Sequence, residues 1–283
     1  MDIYVSKPNS LLDAIRYGST VFVDSMLEKG EDPNSLTEEG VPVLWSAVME
    51  NNPEIVRLLC ENSASVSWQN EQGMNAIMLA AIKNKAAVAQ VLLPFVKDFH
   101  TIDNQGNSLI HYLAFGGNVD LFSELQKRAG WLTDFYTLEN GESKSALMIA
   151  AEEGHVAIVE KLLSVSKSHP KAHLQKSLCA ASMAGNSKVV TALYKAGANL
   201  TEKDDTGKAA IHYACLTGKK ETIAEMITLL PEIVHCSDLW RNTPLHYAAA
   251  TQNEELFDFL IANNANEKLK NNDNLTAHEL LSS

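Results

Sequence analysis

The chain is short of cysteine, of positive charge and of long apolar runs. Its four cysteines (Cys60, Cys179, Cys215 and Cys236) are scattered over 283 residues with no Cys-x-x-Cys pair. That excludes a disulfide framework and points to a reducing compartment. Lysine and arginine number 23 against 35 aspartates and glutamates, a net charge of −12. Nucleic-acid and anionic-membrane surfaces need clustered positive charge, so neither is expected as a partner. No apolar run approaches the roughly 18–20 residues of a membrane span, so membrane insertion is not expected either. Residues 1–10 lack a basic stretch followed by an apolar core, so no secretory signal is expected. Met1-Asp2 is not a myristoylation start, and the final Leu-Leu-Ser-Ser is not a prenylation box. With 46% apolar and 20% charged residues the composition is that of a globular chain. The expected setting is cytoplasmic, with nucleus or host cytosol left open.

Signatures of catalysis are also missing. Gly207-Lys208 and Gly218-Lys219 lack the upstream glycine and the hydroxyl residue of a phosphate-cradling loop. There is no Gly-x-Ser-x-Gly elbow, and His278-Glu279 is followed by Leu280-Leu281 rather than completing His-Glu-x-x-His. His169 and His173 stand four apart with Pro170 between them and no third ligand at a zinc spacing. Ser164-Val165-Ser166-Lys167 is a Ser-x-x-Lys match too short to carry information alone. No catalytic residue, metal site or cofactor is expected, and the chain reads as a non-enzyme.

What is present is a repeat. An apolar residue, a small residue three positions on, and a Gly or polar residue seven positions on recur along the chain. The leading residues are Leu11, Leu44, Ile77, Ile110, Leu147, Leu178, Ile211 and Leu245, with His278 opening an incomplete copy. Their spacings are 33, 33, 33, 37, 31, 33, 34 and 33. Each unit reads as two short helices. Thr243-Pro244 supplies a hydroxyl cap and a proline at the first helical position. Small residues such as Ala248 and Ala249 let neighbouring helices approach, and Gly154, Gly185 and Gly218 provide left-handed turns between helices. The second helix carries the wider apolar face, as in Val156, Ile158, Val159, Leu162 and Leu163. Polar links such as Asp103-Asn104-Gln105-Gly106 join the units as projecting turns.

Thr243-Pro244-Leu245-His246-Tyr247-Ala248-Ala249, the run from Ala150 to Val159, and Lys195-Ala196-Gly197-Ala198-Asn199 together resemble the ankyrin repeat. The resemblance covers about Leu11 to Leu281. It implies an all-α fold, an ankyrin-repeat solenoid of stacked helix-turn-helix units with projecting β-turn fingers. The whole chain, 1–283, is then a single ankyrin-repeat domain with repeats near 8–36, 37–69, 70–102, 103–137, 138–168, 169–203, 204–237 and 238–270, and a partial one at 271–283. That last copy is either a single-helix cap or a cut through a longer protein. The family's recurrent histidine, here His111, His212 and His246, is implied to bond to backbone in the adjoining turn. Cys179 and Cys215 sit at or near small-residue positions, where a buried, inert thiol is the default.

Three features depart from the pattern. The link 130–144, with Trp131, Phe135 and Tyr136, reads as an enlarged finger. The link 164–175 reads as a connector whose finger is reduced or lost. Arg241 stands where the family has glycine before Thr-Pro, which predicts a rearranged turn.

A solenoid binds on a concave surface of finger tips and outward first-helix positions. By register the outward pairs include Arg16-Tyr17, Met49-Glu50, Phe115-Gly116, Glu152-Glu153, Met183-Ala184 and Leu216-Thr217, and the tips include Glu38-Glu39, Glu71-Gln72 and Leu239-Trp240. Tyr17, Met49, Phe115, Met183, Leu216 and Trp240 would form an apolar strip edged by Glu38, Glu39, Glu50, Glu71, Glu152 and Glu153. Trp131 and Tyr136 join the candidate contacts from the longer link, whose irregularity is either a partner contact or length drift in a surface loop, with Trp131 alternatively filling a gap between mismatched repeats. Such a groove suits a protein or peptide with basic and apolar residues. The expected function is a monomeric, non-enzymatic interaction scaffold or adaptor. The alternative is a targeting or regulatory segment of a larger enzyme or of a host-directed bacterial or viral effector.

Overall fold

A computed structural model describes residues 8–127, 136–165 and 169–282. Among the described residues there are seventeen α-helices and no strand, only isolated antiparallel bridges such as Ile102 with Ser108 and Lys270 with Thr276. The helices fall into two compact units, Met1–Ala146 and Leu147–Ser283.

The first unit holds four helix pairs: α1 (Leu11–Tyr17) with α2 (Thr20–Glu28), α3 (Val43–Met49) with α4 (Pro53–Glu61), α5 (Ala76–Ile82) with α6 (Ala86–Leu92), and α7 (Leu109–Gly116) with α8 (Val119–Gln126). The second opens with α9 (Ala146–Glu153) and α10 (Val156–Val165). It continues with α11 (Lys171–Ala184) and α12 (Ser187–Lys195), α13 (Ala210–Leu216) and α14 (Lys220–Leu229), and α15 (Pro244–Ala250) and α16 (Glu254–Ala262). A lone helix, α17 (Ala277–Leu281), follows them. Within each unit first helices pack on first helices and second helices on second helices.

Most first helices have seven or eight residues, too few to persist alone in water. Their stability comes from stacking. The small residues Ala47, Ala80, Ala150, Ala181, Ala214 and Ala248 have no exposed surface, so helix backbones come together without a gap. The second helices fill the space behind with larger groups, such as Phe122, Phe257, Ile55 and Leu59, all fully buried.

Every pair is closed by the same backbone device. The seventh-position residues Gly18, Asn51, Asn84, Gly117, Gly154, Gly185, Gly218 and Gln252 all have positive φ, between 49° and 93°. The turn demands this conformation even where a side chain pays for it. An asparagine then starts many second helices: Asn52, Asn118 and Asn253 accept from the N–H of Ile55, Leu121 and Leu256 at 3.0–3.1 Å.

The fingers share a second device. An Asx or Thr residue opens each one, and in six of them its Oδ1 takes the backbone N–H groups two and four residues on. Asp103, for example, accepts from Gln105 at 2.8 Å and Asn107 at 2.7 Å, and Asp238 from Trp240 at 2.9 Å and Asn242 at 2.7 Å. Asn70, Asn140, Asp204 and Asn271 repeat the pattern, and Thr37 makes part of it. Adjacent fingers are joined by their backbones: Asn104 N to Gln72 O at 2.9 Å, Gly141 N to Gln105 O at 2.7 Å, and Asn272 N to Trp240 O at 2.9 Å.

The turn at Arg241 is not rearranged. Arg241 has φ 60° and Asp238 makes its full set of bonds, so the finger keeps its shape and the side chain carries the strain. Ser143 and Asn274 occupy the same place in their fingers with φ 57° and 62°. Arg241→Gly is therefore expected to raise stability by about 1 kcal/mol, read from urea unfolding. The finger at Asn140 is also of ordinary size, with the usual bonds from Glu142 and Lys144. The added length of that link lies before it, and Trp131 and Phe135 are outside the described residues. Ahead of Gly185, by contrast, α11 runs unbroken for 14 residues and occupies the positions where a finger would lie.

Candidate partner-binding face

The recurrent histidines are structural ties. His111 Nδ1 accepts from Ser108 N at 3.1 Å and lies 2.9 Å from Ser108 Oγ, while Nε2 lies 3.1 Å from the carbonyl of Leu138. Nδ1 is the acceptor, so the carbonyl fixes the neutral Nε2–H tautomer. His246 does the same between Thr243 and the carbonyl of Leu275, and His212 between the N–H of Ala209 and the carbonyl of Cys236. Each ring caps its own helix and holds the finger that follows. In the last copy Glu279 takes the histidine's place, accepting from Thr276 N at 2.7 Å and Oγ1 at 2.9 Å.

Burial lowers the pKa of all three rings, only partly offset by the carbonyls they bond. A depressed folded-state pKa means that the unfolded chain binds protons first as pH falls below about 6.5. The stability they confer is complete above that pH and is lost as pH falls toward the folded-state values, by up to about 1.4 kcal/mol per pH unit for each ring. Urea midpoints at pH 8 and pH 5 should show this loss, and His212→Gln should flatten it.

A tyrosine adds a further tie. The Tyr247 hydroxyl donates to Asp238 Oδ2 at 2.8 Å, and Tyr112 and Tyr213 donate in the same way to Asp103 and Asp204. Burial alone would raise Asp204, but the bonds from Tyr213, Thr206 and Lys208 hold it down at about 2. Burial, and then bonding to Asp204, pushes Tyr213 up to about 12.

The thiols are held protonated. Burial raises Cys60 to about 12, and Cys215, which is fully enclosed, is raised as well. Cys179 was expected to be buried but is only half-buried. Burial and then the charge of Asp204 raise it to about 11. His169 Nε2 lies 2.8 Å from the carbonyl of Leu163. Among the described residues no group of three or more His, Cys, Asp or Glu is placed to hold a metal, and no helix is long and apolar enough to cross a membrane.

The apolar strip residues are all open. Tyr17, Met49, Phe115, Met183, Leu216 and Trp240 are between 43% and 56% exposed. Glu38, Glu39, Glu50, Glu71, Glu152 and Glu153 are exposed too, Tyr136 is half-buried, and Trp131 lies outside the described residues. Tyr17, Met49 and Phe115 belong to the first unit, and Met183, Leu216 and Trp240 to the second. Beneath several of them the backbone is anchored. Lys85 Nζ bonds the carbonyl of Met49 at 2.6 Å, Thr217 Oγ1 that of Met183 at 2.9 Å, and Asn186 Nδ2 those of Ala151 and Glu152, each at 2.9 Å. Gly116 was read as an outward position and is not one. A Cβ there would lie 2.0 Å from the carbonyl oxygen of Ala81, so the glycine is a point of helix contact.

Comparison with known proteins agrees with this architecture. Residues 11–103 and 178–273 match the family model described as Ankyrin repeats (3 copies), and residues 143–171 match that described as Ankyrin repeat. The chain belongs to the ankyrin-repeat family. It is 23% identical over 279 residues to "Ankyrin repeat and KH domain-containing protein mask-1" of Caenorhabditis elegans, covering 96% of this chain and 10% of that protein. Over 196 residues it is 24% identical to "Transient receptor potential cation channel subfamily A member 1 homolog" of the same organism, 67% of this chain and 15% of the other. The ankyrin chain thus spans only a small part of the length of these curated relatives. Among solved structures, the human ASB11 ankyrin repeat domain superposes with a TM-score of 0.63 at 24% identity, covering 79% of this chain and 97% of that one. That likeness confirms the all-α ankyrin fold.

Proposed function

We propose that this chain is a non-enzymatic interaction module that holds a protein or peptide partner on its first-helix and finger face. Ankyrin repeats are generally protein–protein interaction modules. One observation supports this face most strongly: large apolar side chains stand exposed at equivalent positions while the backbone beneath them is anchored. A rigid support lowers the entropy lost on binding, and apolar groups ringed by charge form the core and rim of an interface. The exposed glutamates favour a partner with basic residues and speed its approach at low salt. The protein acts as a monomer in an intracellular compartment. A second reading, a targeting or regulatory segment within a longer protein, is favoured by the small share of each relative's length that the chain matches.

The test is a double substitution, Phe115→Ala with Trp240→Ala. Affinity capture from cells that make the protein should lose its partner, while urea unfolding shifts by no more than about 0.5 kcal/mol. A large loss of stability would place these residues in the core and remove the reading.

A further inference from the structure

Three consecutive fingers of the second unit, 204–208, 238–242 and 271–275, carry charges of alternating sign at their tips. Asp205 stands on the first, Arg241 on the second and Asp273 on the third, and all three are exposed. None of these side chains has a hydrogen bond or ion pair among the described residues. Glu202 with Lys203, and Lys268 with Lys270, lie before the opening Asp204 and Asn271 rather than at the tips. There the charge of Lys203 is felt by Cys236 and that of Lys270 by Glu279.

The middle tip is unlike its neighbours. Leu239 and Trp240 are 62% and 51% exposed, and Arg241 holds a φ of 60° that glycine would adopt without strain. An arginine that costs stability and bonds nothing does not serve the fold, and strain of that kind marks function. The tip is also braced on both sides. Lys208 Nζ lies over the Trp240 ring, 5.6 Å from its centroid, and a Cβ at Gly207 would stand 2.5 Å from Leu239. From the finger that follows, Asn272 N donates to the carbonyl of Trp240 at 2.9 Å and its Nδ2 to that of Leu239 at 3.3 Å. Rigid, exposed tryptophan and arginine are the residue types enriched in interface hot spots.

Packed helices lie about 8–10 Å apart, so successive tips repeat at about that interval. An extended chain advances about 3.3 Å per residue and so passes one tip roughly every three residues. We propose that these tips dock an extended segment of a partner protein in which one carboxylate stands midway between two basic residues, each three positions away, with apolar residues beside the carboxylate. The carboxylate takes the Arg241 guanidinium, which offers it two parallel donors. The apolar neighbours lie on Leu239 and Trp240, and the outer basic groups meet Asp205 and Asp273. A wholly basic segment sets a like charge against Arg241, so the middle tip selects against it. The proposal rests on the interaction reading above and adds the charge order that one contact requires.

The probe is a fluorescein-labelled peptide, Lys-Ala-Leu-Glu-Leu-Ala-Lys, titrated with the full chain at low salt and followed by anisotropy. It is expected to bind, and Lys-Ala-Leu-Lys-Leu-Ala-Lys to bind roughly tenfold more weakly in spite of the protein's net negative charge. Arg241→Gly should lose roughly tenfold in affinity for the first peptide while its urea midpoint rises, a split that a purely structural arginine would not give. Arg241→Glu should reverse the order of the two peptides, with circular dichroism to verify that it is folded. No binding at millimolar protein, equal or tighter binding of the all-lysine peptide to the native chain, or unchanged binding in Arg241→Gly each overturns the proposal. The interaction reading has its own readout, loss of the captured partner in Phe115→Ala with Trp240→Ala. A partner lost there while the two peptides bind alike overturns the charge order alone.

Discussion

Gly116→Ala should cost at least about 3 kcal/mol, the upper end of what overpacking does. A Cβ at Gly116 would stand 2.0 Å from the oxygen and 3.0 Å from the carbon of the Ala81 carbonyl, and 3.1 Å from the Cα of Ile82. All three atoms are backbone, so no side-chain rotation relieves the clash. Helices α5 and α7 must move apart, and with them the alanine contacts on which these short helices stack. Gly117→Ala next door meets a different penalty, a left-handed φ of 67°, worth about 1–2 kcal/mol. Urea unfolding of the two variants should rank them in that order. Hydrogen exchange should place the Gly116→Ala defect in residues 76–126, and a loss under about 1 kcal/mol would show that the two helices are not held so closely.

His246→Ala is expected to cost about 3 kcal/mol by a different route. It leaves the buried Thr243 N–H and hydroxyl without their acceptor and the part-buried Leu275 carbonyl without its donor. The finger at Asn271 and helix α17 would lose one of their ties to α15. Faster amide exchange across residues 270–282, with residues 171–195 unchanged, is the expected pattern. An equal rise throughout the second unit would instead show that it unfolds as one body.

The repeat, its helix pairs and the role of the histidines were legible because each recurs in register. His111, His212 and His246 could be assigned one duty together, and the exact partners only completed it. The left-handed turns were legible at glycine but not at Asn51, Asn84 or Gln252, where identity and conformation part company. The opening Asp, Asn or Thr of each finger was missed, although it recurs three residues before the left-handed position. A polar residue in a polar link looks like solvation until its bonds to two amides are seen. The Tyr–Asp tie, nine residues apart in each of three copies, was hidden for the same reason.

Two features needed the third dimension. Loss of the finger before Gly185 could be read from a missing glycine, but its replacement by a 14-residue helix, and the cleft this leaves beside Met183, depend on packing across three repeats. Gly116 looked like an outward position by counting, and only the carbonyl of Ala81 shows why nothing larger fits. The exposure of Tyr17, Met49, Phe115, Met183, Leu216 and Trp240 was expected from the repeat, because a large apolar side chain at a position that the repeat turns outward has no core to enter.

On the proposed function, this outward face, and not the second-helix side, meets the partner. Photo-crosslinking with benzoylphenylalanine placed singly at Tyr17, Phe115, Met183 and Trp240, and at the exposed second-helix positions Arg57, Gln90 and Asp258, tests it most directly. The prediction is one crosslinked partner from the first set and none from the second. Crosslinks that form only from Arg57, Gln90 or Asp258 would contradict it.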